Sequence, residues 1–296
     1  MERKQGILID TDIGDDIDDA LALALALRSP ELEIRAITTV FKNTAERARL
    51  ASALLSQFGR DDIPVYEGTG TPIINEVAVH DIPCQCAVVD FDQYQKNDMH
   101  AADAILAAVR SDPALTIIAI GPLTNLALAC LKEPDTMRSA RIMLMGGAFG
   151  TTEAEWNIVC DPEAASVVFR SGAQIKVFGL DVTARCVLKK EHEQTAKERG
   201  DAASMFLMRL FDAWHRASGY GIMLHDPLVI GALLHPEWVH YEKQKVIVEL
   251  RGENTRGSTI LKRSFFKTYE TPNAQVATDV NAEAFIEFFM SRVFPA

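Results

Sequence analysis

Six aspartates follow directly on a short apolar segment near the start of the chain, in the run ILIDTDIGDDIDDALAL over residues 7–23. Ile7, Leu8 and Ile9 suit a buried parallel strand, and the alternating Ala and Leu after Asp19 suit a helix. The carboxylates therefore come at the carboxyl end of a strand, where open α/β sheets bind ligands. Because crowded carboxylates repel one another, they either take up protons or share a hard divalent cation such as Ca²⁺ or Mg²⁺. The run predicts a metal site.

Two other interpretations of this run stay open at this point. Acidic residues also favour the first turn of a helix, so Asp16, Asp18 and Asp19 could serve only as a solvated helix start. A spaced Asp-x-Asp after a strand, as at Asp10 and Asp12, is also typical of phosphate-transferring hydrolases of the haloacid dehalogenase type. The motifs further along the chain have to decide between these alternatives.

The composition limits the class of partner. The chain has 296 residues, of which 48% are hydrophobic and 24% charged, as in globular proteins. Its formal charge of −11 argues against a nucleic-acid backbone or an anionic membrane as the main partner, and fits a small neutral or cationic ligand. The longest apolar run, Ala20 to Leu27, is too short to cross a bilayer. No secretory signal precedes the first strand, so we predict a cytoplasmic location.

Strand-like apolar runs recur along the chain, and helical patterns lie between the early ones. This alternation predicts an open Rossmann-like α/β fold, with a mostly parallel central sheet and helices on both faces. We find no repeat, linker or composition shift, so we predict one catalytic domain over residues 1–296. The predicted strands are Ile7 to Ile9, Glu33 to Thr39, Leu115 to Ile120, Arg141 to Met145, Ile175 to Phe178 and Lys245 to Leu250. The predicted helices include Ala45 to Gln57, Ala101 to Arg110 and Pro162 to Arg170.

Two segments depart from this pattern. Asn75 to Asn97 has mixed polarity without a clear period, and irregular segments of that length often form functional lids. Glu191 to His225 reads as a pair of helices rich in aromatic residues. Aromatic residues at helical spacing usually pack in the core, so a ligand-stacking role for Trp214 or Tyr220 is the less favoured interpretation.

Polar motifs follow several predicted strands and would surround the same edge of the sheet as the aspartates. Each motif is weak alone, but the ordered set resembles nucleoside hydrolases of the inosine-uridine type from residue 7 to about the end of the chain. This resemblance removes the phosphatase-like alternative, which does not account for the later motifs. The motifs are Asp10-Thr11-Asp12 with Asp18-Asp19-Ala20, Thr38-Thr39-Val40-x-x-Asn43, Gly121-Pro122-Leu123-Thr124-Asn125, Met145-Gly146-Gly147, Glu155-Trp156-Asn157 with Asp161-Pro162-Glu163, and His225-Asp226-Pro227.

The resemblance implies an activity and a set of site residues. The activity is hydrolysis of the N-glycosidic bond of ribonucleosides to ribose and free base. The implied ligands of Ca²⁺ are Asp12, Asp19, the main-chain carbonyl of Thr124 and the carboxylate of Asp226. The residues implied to hold the ribose hydroxyls are Asp18, Asn43, Glu155 and Asn157, with Asp10 supporting Asp12 and Met145 nearby.

The implied chemistry follows from the bond that breaks. Cleavage builds positive charge on the sugar, and nearby carboxylates stabilise such an oxocarbenium-like transition state. Water bound to the metal attacks the anomeric carbon, and Asp12 accepts its proton as general base. His225 matches the acid that the family is proposed to use for the departing base. The alternative role of His225 is to orient the neighbouring Asp226.

The sequence departs from the family pattern in two places. Two extra residues separate Gly14 from the Asp18-Asp19 pair, so Asp16 could compete with either as a metal ligand. The usual His-Gly loop after Pro72 is not recognisable, which leaves the nucleobase preference open. A ribose- or nucleoside-binding protein without turnover, or a hydrolase of a modified ribosyl compound, is therefore the alternative function. A homodimer or homotetramer is expected only by analogy with the family.

Overall fold

The computed structural model describes residues 4–90, 94–198, 201–218, 221–262 and 271–295. The strands are β1 (Gln5–Thr11), β2 (Leu32–Thr39), β3 (Val65–Glu67), β4 (Thr116–Ala119), β5 (Arg141–Met145), β6 (Gln174–Phe178), β7 (Val239–Gln244), β8 (Val246–Val248), β9 (Thr259–Leu261) and β10 (Ala274–Val280). The helices are α1 (Asp18–Leu27), α2 (Thr44–Gln57), α3 (Ala101–Ser111), α4 (Thr124–Lys132), α5 (Pro134–Arg138), α6 (Trp156–Cys160), α7 (Pro162–Arg170), α8 (Leu180–Thr183), α9 (Lys190–Glu198), α10 (Ala202–Ser218), α11 (His225–Leu234) and α12 (Ala282–Val293). Short 3₁₀ turns lie at Cys86–Val88 and Pro236–Trp238.

Eight of the described strands form one sheet in the order β3-β2-β1-β4-β5-β6-β10-β7. Neighbouring strands run parallel except for β10 and β7, which are antiparallel. From β1 the chain moves outward through β2 and β3, and then returns to β4 on the other side of β1. The strand order therefore reverses between β1 and β4, and the crevice at such a switch point is where α/β sheets bind ligands. The mostly parallel α/β fold is confirmed.

Helices cover both faces of this sheet. In β1, Ile7 and Ile9 pack into a core with residues of α1, α2, α11 and α12, whereas Leu8 packs into a second core with residues of α3, α4 and α7. All three side chains are fully buried. Since successive side chains of a strand point to opposite faces, a strand that is apolar at every position belongs inside a two-sided α/β sheet.

Several helices begin directly after the polar residue that ends a strand connection. Asn43 caps α2 by accepting a hydrogen bond from Glu46 N at 3.3 Å, and Asp161 caps α7 by accepting one from Ala164 N at 3.1 Å. Pro162 occupies the first turn of α7, where its missing N–H costs nothing. Helix starts and the polar motifs therefore coincide at the carboxyl edge of the sheet.

The strands predicted in the first two thirds of the chain are present, but the last one lies elsewhere. Val246–Val248 pairs antiparallel with Thr259–Leu261 in a separate two-stranded sheet, and so does not extend the central one. Val246 and Val248 are buried in the second core, while Ile247 between them is exposed. The apolar character of this segment thus comes from one-sided packing on α7 rather than from insertion between strands.

The structure also describes most of the two segments that depart from the alternating pattern, 75–97 and 191–225. Residues 91–93 of the first segment lie outside the described residues. Gln85 in this segment packs on the loop after β1. Its backbone N donates to Gly14 O at 3.0 Å, and its Nε2 donates to Asp16 O at 2.5 Å. Trp214 is only 5% exposed and packs beside Phe211 in the core, so it does not stack on a ligand. Tyr220 lies outside the described residues.

Among the helices described, none is both long enough and apolar enough to span a bilayer.

Candidate active site

A cavity of about 430 Å³ opens at the carboxyl edge of the sheet, beside the switch point. Its lining contains most of the residues that the sequence predicted for the site, whereas Asp10, Asn43 and Thr124 lie outside it. The lining residues are Asp12, Asp15, Asp16, Asp18, Asp19, Lys42, Ile120, Met145, Ala154, Glu155, Trp156, Asn157, Leu180, His225 and Asp226.

Three buried carboxylates meet at one end of the cavity. Asp18, Asp19 and Asp226 each offer an oxygen atom, and these atoms all lie within 4.8 Å of one another. The backbone N of Asp226 donates to Asp18 Oδ2 at 3.3 Å, and Thr11 Oγ1 donates to Asp19 Oδ1 at 2.5 Å. The loop after β1 and the start of α11 thus meet at this point, with α1 packed against α11.

These carboxyl groups resist ionisation in the absence of a counter-charge. Burial raises the pKa of Asp19 and Asp226 well above the usual range, and repulsion by the other aspartates raises it further. Burial also raises the pKa of Asp12 to about 7, although the Arg47 guanidinium opposes this shift. Buried carboxylates that repel one another form an oxygen-only donor set that a hard divalent cation would neutralise. The residues present therefore fit such a cation.

Asp12 and Asp16 take different positions at this end of the cavity. Asp12 lines the cavity but is not one of the three clustered carboxylates. Its side chain lies against Gly121, where a Cβ atom would come 2.8 Å from Asp12 Oδ1 and would collide with it. Asp16 is exposed, and its Oδ1 accepts a hydrogen bond from Ile17 N at 2.6 Å. The extra residues of the first loop thus place Asp16 at the mouth of the cavity, outside the cluster.

Asp10 lies beneath the cavity and links three elements. Its Oδ1 accepts hydrogen bonds from Thr38 Oγ1 at 2.6 Å and from Asn125 Nδ2 at 2.8 Å, which ties β1 to β2 and α4. Its Oδ2 is buried and has no hydrogen-bond partner among the described residues, and burial raises the pKa of this carboxyl to about 7. This arrangement suits a residue that supports the cavity through the elements around it.

Arg47 is a site residue that the sequence analysis missed. It is fully buried, and its guanidinium donates to Phe41 O at 2.8 Å, to Ile13 O at 2.9 Å and to Asp12 O. It also pairs with Asp15, whose Oδ2 lies 2.7 Å from Nη2. One side chain on α2 therefore holds both the loop after β1 and the loop after β2. Its signal in the sequence is an arginine at the helical spacing of Ala51 and Leu54, on the buried face of α2.

Glu155 and Asn157 form the polar wall opposite the aspartates. Glu155 caps α6: its Oε1 accepts from Asn157 N at 2.9 Å, and its Oε2 accepts from Gly147 N at 3.0 Å. The amide of Asn157 donates to Ile120 O at 3.2 Å and to Met145 O at 3.3 Å. Met145 therefore positions Asn157 through its backbone as well as lining the cavity itself.

His225 is held as a neutral imidazole. Its Nδ1 lies 2.8 Å from the hydroxyl of the fully buried Thr183, and burial lowers the pKa of His225 to about 4. A neutral imidazole whose Nδ1 accepts from this hydroxyl carries its proton on Nε2, where it can donate a hydrogen bond.

Asn43 and Thr124 contribute through the framework around the cavity. Asn43 is the cap of α2, and its Nδ2 donates to His80 O at 3.5 Å. Thr124 is buried at the start of α4, and its Oγ1 donates to Asp161 Oδ2 at 2.7 Å. The carbonyl of Thr124 as a metal ligand and the amide of Asn43 as a ribose ligand stay predictions.

The comparison with known families decides the identity. The family model of the inosine-uridine preferring nucleoside hydrolases matches residues 7–287. The chain belongs to this family. It is therefore a nucleoside hydrolase, an enzyme that cleaves ribonucleosides to ribose and free base, and the prediction made from its motifs is confirmed.

Individual relatives agree on the family but differ in the base named. The nucleoside hydrolase described here is 34% identical over 306 residues to the pyrimidine-specific ribonucleoside hydrolase RihA of Citrobacter koseri, with 97% of each chain covered. It superposes on the plant nucleoside hydrolase PpNRh1 with a TM-score of 0.90 at 29% identity, covering 99% of this chain and 100% of the other. The purine-preferring ribonucleoside hydrolase from Gardnerella vaginalis gives a TM-score of 0.86 at 28% identity, with 98% of each chain covered.

We expect Arg47→Met to lower the free energy of unfolding of this nucleoside hydrolase by about 3–5 kcal/mol, because it leaves buried carbonyls without a donor and removes the buried cation. Asp15→Asn is the matched control and should cost less than about 1 kcal/mol, since the Asp15 side chain is 50% exposed. Urea unfolding measures both. An Arg47→Met variant as stable as the parent would mean that other contacts hold the two loops.

Proposed function

We propose that this enzyme hydrolyses ribonucleosides with Ca²⁺ bound by Asp12, Asp19, the carbonyl of Thr124 and Asp226. The observation that carries the proposal is the cluster of buried, mutually repelling carboxylates at the cavity end. Such a cluster is costly unless a cation neutralises it. The donors are oxygen atoms, which favour Ca²⁺ or Mg²⁺, and a shell that includes both carboxylates and a carbonyl suits the larger, more flexible coordination of Ca²⁺.

The cation would polarise and orient the attacking water. Asp12 then acts as the general base that accepts the proton of this water, since it lines the cavity beside the carboxylate cluster. The surrounding carboxylates stabilise the positive charge that develops on the ribose as the N-glycosidic bond breaks. Asp12 thus has the central catalytic role in this proposal.

The other predicted site residues bind the two ends of the substrate. We assign Asp18, Asn43, Glu155 and Asn157 to the ribose hydroxyls, because carboxylates and amides pair with a polyol in fixed directions. His225 serves the departing base: its neutral imidazole donates a hydrogen bond from Nε2 while Thr183 fixes the ring. Asp10 supports Asp12 from beneath the cavity.

We further propose that residues 1–296 act as one catalytic domain, that the enzyme is cytoplasmic, and that it assembles as a homodimer or homotetramer. The acidic net charge of −11 supports a small-molecule substrate rather than a nucleic acid or a membrane surface. Light scattering on the purified protein measures the oligomeric state directly.

Removal of the cation tests the metal site. We expect added Ca²⁺ to raise the Tm of chelator-treated protein, because the cation binds the folded carboxylate cluster and not the unfolded chain. At equal concentrations Ca²⁺ should shift the Tm more than Mg²⁺ does, and Asp19→Asn should remove most of the shift. Activity should be lost and regained in parallel. A Tm shift that is unchanged in Asp19→Asn would place the cation elsewhere.

Asp12→Asn should lower kcat by at least about 10²-fold, because it removes the general base and weakens the metal site together. Asp18→Asn is the matched control: it should mainly raise KM, since Asp18 is assigned to the ribose. Steady-state kinetics at saturating Ca²⁺ separates the two effects. Near-normal kcat in Asp12→Asn, or a kcat loss confined to Asp18→Asn, would reverse the two assignments.

His225→Ala should reduce kcat/KM for natural nucleosides by about 10–100-fold, the usual effect of losing a hydrogen bond to the departing base, and far less for an activated aryl riboside, because only the former need that help. Thr183→Val keeps the imidazole but removes the hydroxyl that fixes it, so a smaller loss of the same kind is expected. If both substrates lose kcat/KM equally while Ca²⁺ affinity falls, His225 acts by orienting Asp226.

A further inference from the structure

The loop after β2 carries two non-glycine residues in the left-handed region. Phe41 has φ of 69° and Lys42 has φ of 53°. Side chains bearing a Cβ atom rarely adopt this conformation, and the strain persists only where the surroundings impose it. Such positions cluster at ligand-binding sites, so the loop is a candidate for contact with a ligand.

Neighbouring backbone imposes the conformation. Phe41 N donates to Thr69 O at 2.9 Å, and Lys42 N donates to Gly70 O at 2.7 Å. A Cβ atom at Gly70 would collide with the Lys42 carbonyl, so the close approach requires glycine at this position. The buried Arg47 holds the same loop by donating to Phe41 O at 2.8 Å. Three hydrogen bonds therefore hold the backbone of Phe41 and Lys42 in place.

The fixed backbone directs Lys42 to the cavity. Lys42 lines it together with the carboxylates of Asp12 and Glu155. Its Nζ lies 5.6 Å from the centroid of the Phe41 ring, and within the described ranges it makes no hydrogen bond or ion pair. An ammonium group offers three donors and no acceptor, so an unpaired one beside a ligand cavity is available to a ligand oxygen.

An aromatic side chain completes this part of the wall. Trp156 lines the same cavity and is 60% exposed, although it adjoins the buried Glu155 and Asn157. Phe41 packs edge-on against it, with ring centroids 6.5 Å apart at 89°. Phe41 thus contacts both the Lys42 ammonium and the exposed Trp156 ring. A planar heterocycle with a polar edge needs both a surface to stack on and a hydrogen-bond donor.

We propose that Lys42 and Trp156 bind the nucleobase, and that the Lys42 ammonium donates a hydrogen bond to an exocyclic oxygen of the base. This inference rests on the proposed function and adds a specificity residue to it. A base that presents an amino group at the same position offers no such acceptor. A phosphate group is the less favoured source of oxygen, because Asp15 and Asp16 at the cavity would repel it.

Inosine and adenosine test this pairing, since inosine carries an oxygen at C6 where adenosine carries an amino group, and only inosine carries a proton on the adjacent N1. We expect Lys42→Met to lower kcat/KM for inosine about 10–100-fold, the usual effect of losing a charged hydrogen bond to a substrate, and to affect adenosine far less. If either nucleoside is not turned over, its inhibition constant against an activated aryl riboside replaces kcat/KM. The ratio between the two nucleosides is the readout that loss of structure would not change.

Two further variants separate the contact from the strained backbone. Lys42→Gly removes the side chain but suits the left-handed conformation, so its Tm should not fall while its inosine-to-adenosine ratio should match that of Lys42→Met. Lys197→Met is the matched control, because the Lys197 Nζ lies 5.7 Å from the centroid of the Phe211 ring in a similar arrangement and neither residue lines the cavity. Its kinetics should equal those of the parent enzyme.

Three results would overturn the inference. Equal losses on both nucleosides would place Lys42 on the ribose or in the framework. Preferred hydrolysis of inosine 5′-monophosphate over inosine, lost in Lys42→Met, would assign the ammonium to a phosphate. A parent enzyme that hydrolyses no ribonucleoside would refute the proposed function itself, whereas either of the first two results, obtained with an active parent, refutes only the role of Lys42.

Discussion

The burial of several carboxylates at one edge of the sheet is the constraint on which the site depends. Two apolar cores on opposite faces fix β1 and its neighbours, and the reversal of strand order at β1 and β4 leaves a single crevice for the loops that follow. Asp12, Asp18, Asp19 and Asp226 are gathered there with less than a tenth of each residue exposed. Folding therefore supplies the free energy that holds these acidic groups together, and a cation bound there would return part of it.

The central sheet could be predicted from sequence because its inner strands are apolar on both faces. β1, β4 and β5 leave a continuous apolar signal, whereas β7 is an edge strand with the polar sequence VHYEKQ and carries no such signal. β8 has the right composition for the central sheet but pairs with β9, from which residues 249–258 separate it. Local pattern identifies a buried strand, but its partner is set by packing that the pattern does not encode.

The site residues divide in the same way. The aspartates could be found because they directly follow a recognisable strand, and His225 and Asp226 because they stand together in a motif. Arg47 could not, because arginine in a helix is usually solvated and only its place on the apolar face of α2 distinguishes it. Lys42 was missed for a different reason: its importance comes from a backbone conformation that Thr69 and Gly70 impose from another loop.

The hydrogen bond from Asp226 N to Asp18 Oδ2 joins residues 208 positions apart, and this separation has a consequence for how the enzyme matures. During synthesis the first loop leaves the ribosome long before α11 exists, so its aspartates spend that interval solvated and separate. The closed carboxylate cluster is a non-local contact that forms late, after the intervening strands have paired. The complete carboxylate cluster is thus a property of the nearly complete chain, and a truncated product that retains the first loop but ends before residue 226 cannot form it.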